Sequence, residues 1–167
     1  AFSLLRRAPE RVRALVLCDT RAGADSEQGR ADRLAMAETV RREGVEAIVE
    51  TMASRLLAPR SLAEVHIAEP VRGRIHRCTP EGVAACQGAM AARPDSTPML
   101  ASIAVPALVV VGELDAVTPV EEAQRMAAAI PAARCEVIPG VGHLSNLERW
   151  DAFNALLGGF LASAYPA

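Results

Sequence analysis

Lysine is missing from this chain: all 18 basic residues are arginine, set against 20 acidic ones for a net charge of −2. The arginines are scattered among Asp and Glu, so no basic face emerges for nucleic acid. Aromatic residues are nearly as scarce, at 3%, which leaves Ala, Leu, Val and Ile to fill a core. With 51% hydrophobic residues in 167, that material suffices for a folded domain. No apolar run approaches the ~18 residues of a membrane-spanning helix, and the first residues lack the layout of a signal peptide. The four cysteines (Cys18, Cys78, Cys86, Cys135) form neither a CxxC pair nor a close cluster with histidine, which disfavours zinc. They read as free, mostly buried thiols in a reducing, cytoplasmic setting.

What is present has an alternating rhythm. Residues 1–7 look like the end of a helix, stopped by Pro9. Arg13 to Cys18 is a nearly continuous apolar run, the pattern of a strand buried on both faces, and Asp19-Thr20 open a polar segment. From about Arg21 to Ser102 no strand is convincing. Val45, Ile48, Val49, Met52 and Leu56 form a stripe at helical spacing behind Gly44. Ser61 with Glu64 has capping-box spacing, Pro70 predicts a restart or kink, and Thr79-Pro80-Glu81 predicts a helix running to about Ala92. Four or five helices between two strands exceed what a crossover needs and read as an inserted helical cap.

The rhythm then returns. Val105 to Gly112 predicts a buried strand. Thr118-Pro119-Val120-Glu121 reads as an N-cap, a first-turn proline and a capping-box glutamate. Arg134 to Ile138 predicts a strand nearer the sheet edge. Ser145 and Glu148 read as caps of a last helix striped by Leu147, Trp150, Phe153, Leu157 and Phe160. The expected fold is the carboxyl-terminal part of a doubly wound, mostly parallel α/β sheet with an all-helical insertion. Residues 1–20 form its first core step, 21–102 the cap, and 103–167 the remaining core.

Two loops could carry chemistry: Gly112-Glu113-Leu114-Asp115 and Gly140-Val141-Gly142-His143. Each follows a strand, and ligands of parallel sheets sit at strand carboxyl ends. Adjacent strands lie about 5 Å apart, so Asp115 and His143 can meet there. The carboxylate would accept from Nδ1–H and leave Nε2 free to take a proton from a nucleophile. Glycines 140 and 142 would let the loop aim the ring. Taken singly, Asp115 is as readily a turn residue and His143 a structural one; their order along the chain is what favours chemistry.

Val109 to Pro119 and Ile138 to Glu148 resemble the acid and histidine loops of the α/β-hydrolase superfamily. Ala1 to Val12 resembles the helix and next strand after its nucleophile elbow. The branch containing 3-oxoadipate enol-lactonases is the most similar, with weak support from Thr79 to Cys86. The resemblance implies that Asp115 is the triad acid and His143 the general base, acting on a small carboxylic ester or lactone with no metal or organic cofactor. It supplies no nucleophile, because no G-x-S-x-G elbow occurs in the 167 residues. Ser3, Ser54, Ser61, Ser96, Ser102, Ser145 and Cys18 all lie in the wrong context. The resemblance implies that about five strands and two helices, roughly ninety residues, precede Ala1, so the chain is expected to be a fragment inactive alone.

Other readings stay open on the sequence. One is a non-enzymatic remnant or assembly module. Others are sister chemistries of the fold: C–C hydrolysis, dehalogenation, epoxide opening or haloperoxidation. Arg72, Arg74, Arg77 and His76 could hold a substrate carboxylate, though a solvated helix face explains them better. Trp150 is expected in the core, and His66 is assigned nothing. The unpaired edge of the strand ending at Cys18 is expected to pair with a second copy of the chain.

Overall fold

The computed structural model describes residues 1–165. The chain opens with helix α1 (Phe2–Arg7) and strand β1 (Leu15–Cys18). Helices α2 (Glu27–Glu43), α3 (Val49–Leu56), α4 (Pro59–Ala63), α5 (Val65–His76) and α6 (Pro80–Ala91) follow without an intervening strand. Strand β2 (Ala107–Gly112), helix α7 (Val120–Ala129), strand β3 (Ala133–Ile138) and helices α8 (Ser145–Glu148) and α9 (Trp150–Ala164) complete it. The strands form one parallel sheet in the order β1-β2-β3, the α/β architecture expected of this sequence. In register, Leu17 stands beside Val109, Val109 beside Cys135, and Gly112 beside Ile138. The carboxyl ends of β2 and β3 are thus level, and the loops leaving them start side by side.

The chain divides into two compact units. One contains Ala1–Ala22, Arg55–Ala58 and the chain from Ser96 onward; the other contains Gly23–Ser54 and Pro59–Asp95. In the first, β2 is the central strand and all six of its residues are buried. Strand periodicity sends Ala107, Val109 and Val111 to one face, where they pack with Leu5, Ala123, Met126 and Ile130. Leu108 and Val110 go to the other face, against Ile138, Val141 and Phe160. Each such Val or Leu side chain contributes ~1.5–3 kcal/mol by leaving water.

The last helix departs from expectation. The backbone breaks at Arg149 (φ −137, ψ 61), separating the single turn α8 from α9. That break resets the helical phase. Ala152, Phe153 and Leu156 line the core beside Phe160, while Trp150, expected inside, is 67% exposed.

In the second unit, Ser26 caps α2 by accepting from Gly29 N at 3.1 Å, and Gly44 ends it at φ +85. Val40, Val45 and Ile48 form its core with Met36, Met52, Ile75 and Val83. Asp25 is buried and held by Arg33 and Arg93. Thr79 caps α6 with Pro80 at its first position, as the sequence predicts. Three expectations fail here. Val45–Ile48 is a 3-10 turn rather than the start of an α-helix. Ser61 lies inside α4 and Glu64 pairs with Arg60, so they form no capping box. Helix α5 continues through Pro70 with no restart. The carbonyl deprived of its partner is that of His66, in the exposed first turn, where water can take its place. Cys78 and Cys86 are also exposed rather than buried. Among the described residues, no helix is long and apolar enough to cross a membrane.

Candidate active site

Backbone pairing continues past the strand ends and ties the two loops together. Glu113 N donates to Ile138 O (3.0 Å) and Leu114 N to Val141 O (2.8 Å), while Asp115 N turns back to Gly112 O (3.2 Å). This turn carries Asp115 into a buried position where its side chain has no exposure. Oδ1 accepts from Val117 N and Thr118 N, both at 2.8 Å. Oδ2 accepts from the Thr118 hydroxyl at 2.7 Å and lies 2.9 Å from Nδ1 of His143. Burial pushes this carboxyl up. The bonds from His143 and from the Thr118 amide and hydroxyl outweigh it, and hold it below its ordinary value.

An ionised carboxylate only accepts, so Nδ1 of His143 carries a proton, and in the neutral ring Nε2 presents a lone pair. The other ring contact, with the Thr118 hydroxyl oxygen at 3.3 Å, also falls on Nδ1. Nε2 therefore has no protein partner among the described residues, and the side chain keeps 19% of its exposure. Thr118 was expected to cap α7. Its hydroxyl is engaged by Asp115 instead, and α7 starts one residue late, behind Pro119.

The histidine loop is held from below. Gly140 adopts φ +72 and donates to Glu113 at 2.8 Å. Gly142 N donates to Glu148 Oε1 and Ala58 N to Glu148 Oε2, each at 2.9 Å, and His143 N donates to Leu56 O at 2.9 Å. Glycine is required where these backbones touch. A Cβ on Gly112 would lie 2.1 Å from Gly142 O, and one on Gly142 would lie 2.7 Å from Ala58 N. Glu148 is thus a bridge between two backbone segments, not half of a capping box. Ser145 is no N-cap either: its hydroxyl donates to Asp19 at 2.7 Å.

Asp19, Thr118 and Glu148 are the polar residues of this region to which sequence reasoning gave no such role. The signal available for Asp19 was a lone acid directly after a buried strand. It stands at φ 44, a left-handed conformation that costs a non-glycine residue ~1–3 kcal/mol. The sequence's other candidates are engaged or exposed. Arg72 pairs with Glu50 and Glu69, and Arg74, His76 and Arg77 are exposed. Cys18 hydrogen-bonds to Asp19; burial, with Asp19 beside it, pushes its thiol up to about 12, leaving almost no thiolate. Ser96 accepts from Arg6, and Ser54 and Ser102 donate to backbone carbonyls of their own turns.

A model of the alpha/beta hydrolase family matches residues 1–156. The chain is 32% identical over 147 residues to 3-oxoadipate enol-lactonase 2 of Acinetobacter baylyi, covering 87% of this chain and 53% of that protein. Among solved structures it is similar to a thermophilic esterase from Thermogutta terrifontis in its malate-bound form. There the TM-score is 0.93 and the identity 39%, over 98% of this chain and 60% of that one. It is also similar to the enol-lactonase from Burkholderia xenovorans, with TM-score 0.87 and 28% identity over 96% of this chain and 60% of that one. The chain thus spans between 53% and 60% of the length of these proteins. With its parallel sheet, its helical unit and two strand-end loops meeting at a carboxylate and an imidazole, the chain belongs to the alpha/beta hydrolase family.

Proposed function

We propose that the protein hydrolyses a carboxylic ester or lactone through a nucleophile–histidine–acid mechanism, with Asp115 as the acid and His143 as the base. The observation that carries this reading is the 2.9 Å contact between Asp115 Oδ2 and His143 Nδ1, made while Nε2 has no partner among the described residues. Asp115 fixes the tautomer and stabilises the imidazolium that forms when Nε2 takes the nucleophile's proton. His143 then returns that proton to the leaving alkoxide, and a water activated by the same nitrogen releases the acyl group. The lactonase and esterase among the similar proteins support the substrate class.

The nucleophile that Nε2 serves is a serine outside these 167 residues, in the part of the relatives' length that the chain does not span. The helical unit Gly23–Ser54 and Pro59–Asp95 acts as the cap. The test is hydrolysis of p-nitrophenyl acetate and of a small enol-lactone by the whole protein, with His143→Ala and Asp115→Asn beside it. Removing His143 should lower kcat by at least ~10³-fold with little change in KM. The 167-residue chain alone should be inactive. Turnover by that chain, abolished in His143→Ala, would place the nucleophile within it and refute this account.

A further inference from the structure

Asp19 takes no part in the proton transfers described above, yet its carboxylate is shared between the two loops that perform them. Its N–H stays on the sheet, donating to Val110 O at 2.9 Å, and its left-handed backbone leads the chain away from β1. Oδ1 accepts from Gly112 N at 3.2 Å. Oδ2 accepts from Ser145 N at 3.1 Å, from the Ser145 hydroxyl at 2.7 Å and from the Cys18 thiol at 3.1 Å. The residue is buried, so water does not compete for these bonds. Four donors converge on one carboxylate, and they come from the ends of β1 (Cys18) and β2 (Gly112) and from the first residue of α8 (Ser145).

The places gripped matter more than their number. Gly112 is the root of the acid loop, and its carbonyl receives the N–H of Asp115. Ser145 is the second residue after His143. A single rigid carboxylate therefore sets the spacing between the start of one functional loop and the exit of the other. A hydrogen bond of 2.9 Å between the loop tips weakens steeply if that spacing drifts.

We propose that Asp19 is a positioning residue for the Asp115–His143 pair, clamping Gly112 and Ser145 so that the Nδ1–Oδ2 bond keeps its length and direction. The proposal rests on the reading of that pair as catalytic and extends it to a third strand end. Asp19→Asn tests it, because the amide keeps the shape but turns one acceptor into a donor facing a donor. A merely architectural role would lower stability and leave the pair alone.

The decisive measurement is solvent exchange of the His143 Nδ1 proton by NMR in protein labelled with nitrogen-15 histidine, well below each variant's own melting temperature. Asp19→Asn should speed that exchange by about tenfold or more. In the whole protein it should lower kcat for ester hydrolysis by up to ~100-fold while KM stays put. An exchange rate within about twofold of wild type in folded Asp19→Asn overturns the proposal. If that variant does not fold, Ser145→Ala removes one donor and keeps the carboxylate. It should speed exchange by about threefold, and an unchanged rate there overturns the proposal equally. Asp115→Asn, measured alongside, separates the two readings. If it leaves kcat intact while Asp19→Asn still frees the Nδ1 proton, the clamp stands and the catalytic reading of the pair falls.

Discussion

Glu148 offers the sharpest test of how the histidine loop is held. Ser145 and Glu148 have the spacing of a capping box, in which glutamine serves as well as glutamate. On that account Glu148→Gln is close to neutral. The structure gives a different expectation, because each carboxylate oxygen accepts one backbone donor at 2.9 Å, from Gly142 and from Ala58, in a buried setting. Glutamine can satisfy only one of them and directs an N–H at the other. A buried donor left without an acceptor costs about 1–3 kcal/mol, so Glu148→Gln should destabilise by that amount. Glu148→Ala strands both donors and should cost roughly twice as much, about 2–6 kcal/mol. Urea unfolding with an unchanged slope measures the loss, and amide exchange locates it at residues 58 and 142. A Glu148→Gln variant within about 0.5 kcal/mol of wild type would refute the bridge and restore the capping box.

Three further outcomes follow from the same geometry. The Asp115 carboxyl is held below its ordinary 3.8, so its contribution to stability is fully present above that pH and is lost as pH falls through the lower folded value. Asp115→Asn should therefore be destabilising at neutral pH and progressively less so in acid; a penalty in urea unfolding that does not change with pH contradicts this. For Cys18, the rise from 9.0 to about 12 cuts its thiolate content about a thousandfold. Native protein titrated with a thiol reagent near neutral pH should react quickly at the exposed Cys78 and Cys86, and a fast third thiol mapped to Cys18 would argue against its buried setting. Among the described residues β1 pairs only with β2, so the 167-residue chain should self-associate through its open edge. Light scattering showing a monodisperse monomer would refute that.

Much of this architecture was legible because it is written locally. Val109 to Gly112 is apolar without interruption, and Thr79-Pro80 announces a helix within two residues. The meeting of Asp115 and His143 was readable from two loops that leave adjacent parallel strands. What escaped was written across distance. Apart from the adjacent Cys18, the partners of the Asp19 carboxylate lie 93 and 126 residues away, and those of Glu148 are backbone amides that carry no sequence signal of their own. Ser145-x-x-Glu148 shows how a local pattern misleads when both side chains are claimed from elsewhere in the fold. Trp150 shows a second route to error, since the stripe containing it was counted through a helix break at Arg149.

The four residues Arg55–Ala58 have a practical consequence for anyone redesigning this protein. They sit in the middle of the helical stretch by sequence, but belong to the sheet-bearing unit, where Leu56 and Ala58 anchor His143 and Glu148. A chimera that swaps residues 23–95 as one cassette would carry off this stitch and unmoor His143 while leaving every strand in place. A graft that respects it needs two inserts with splice points at 54/55 and 58/59, and keeps the tetrapeptide between them as host sequence.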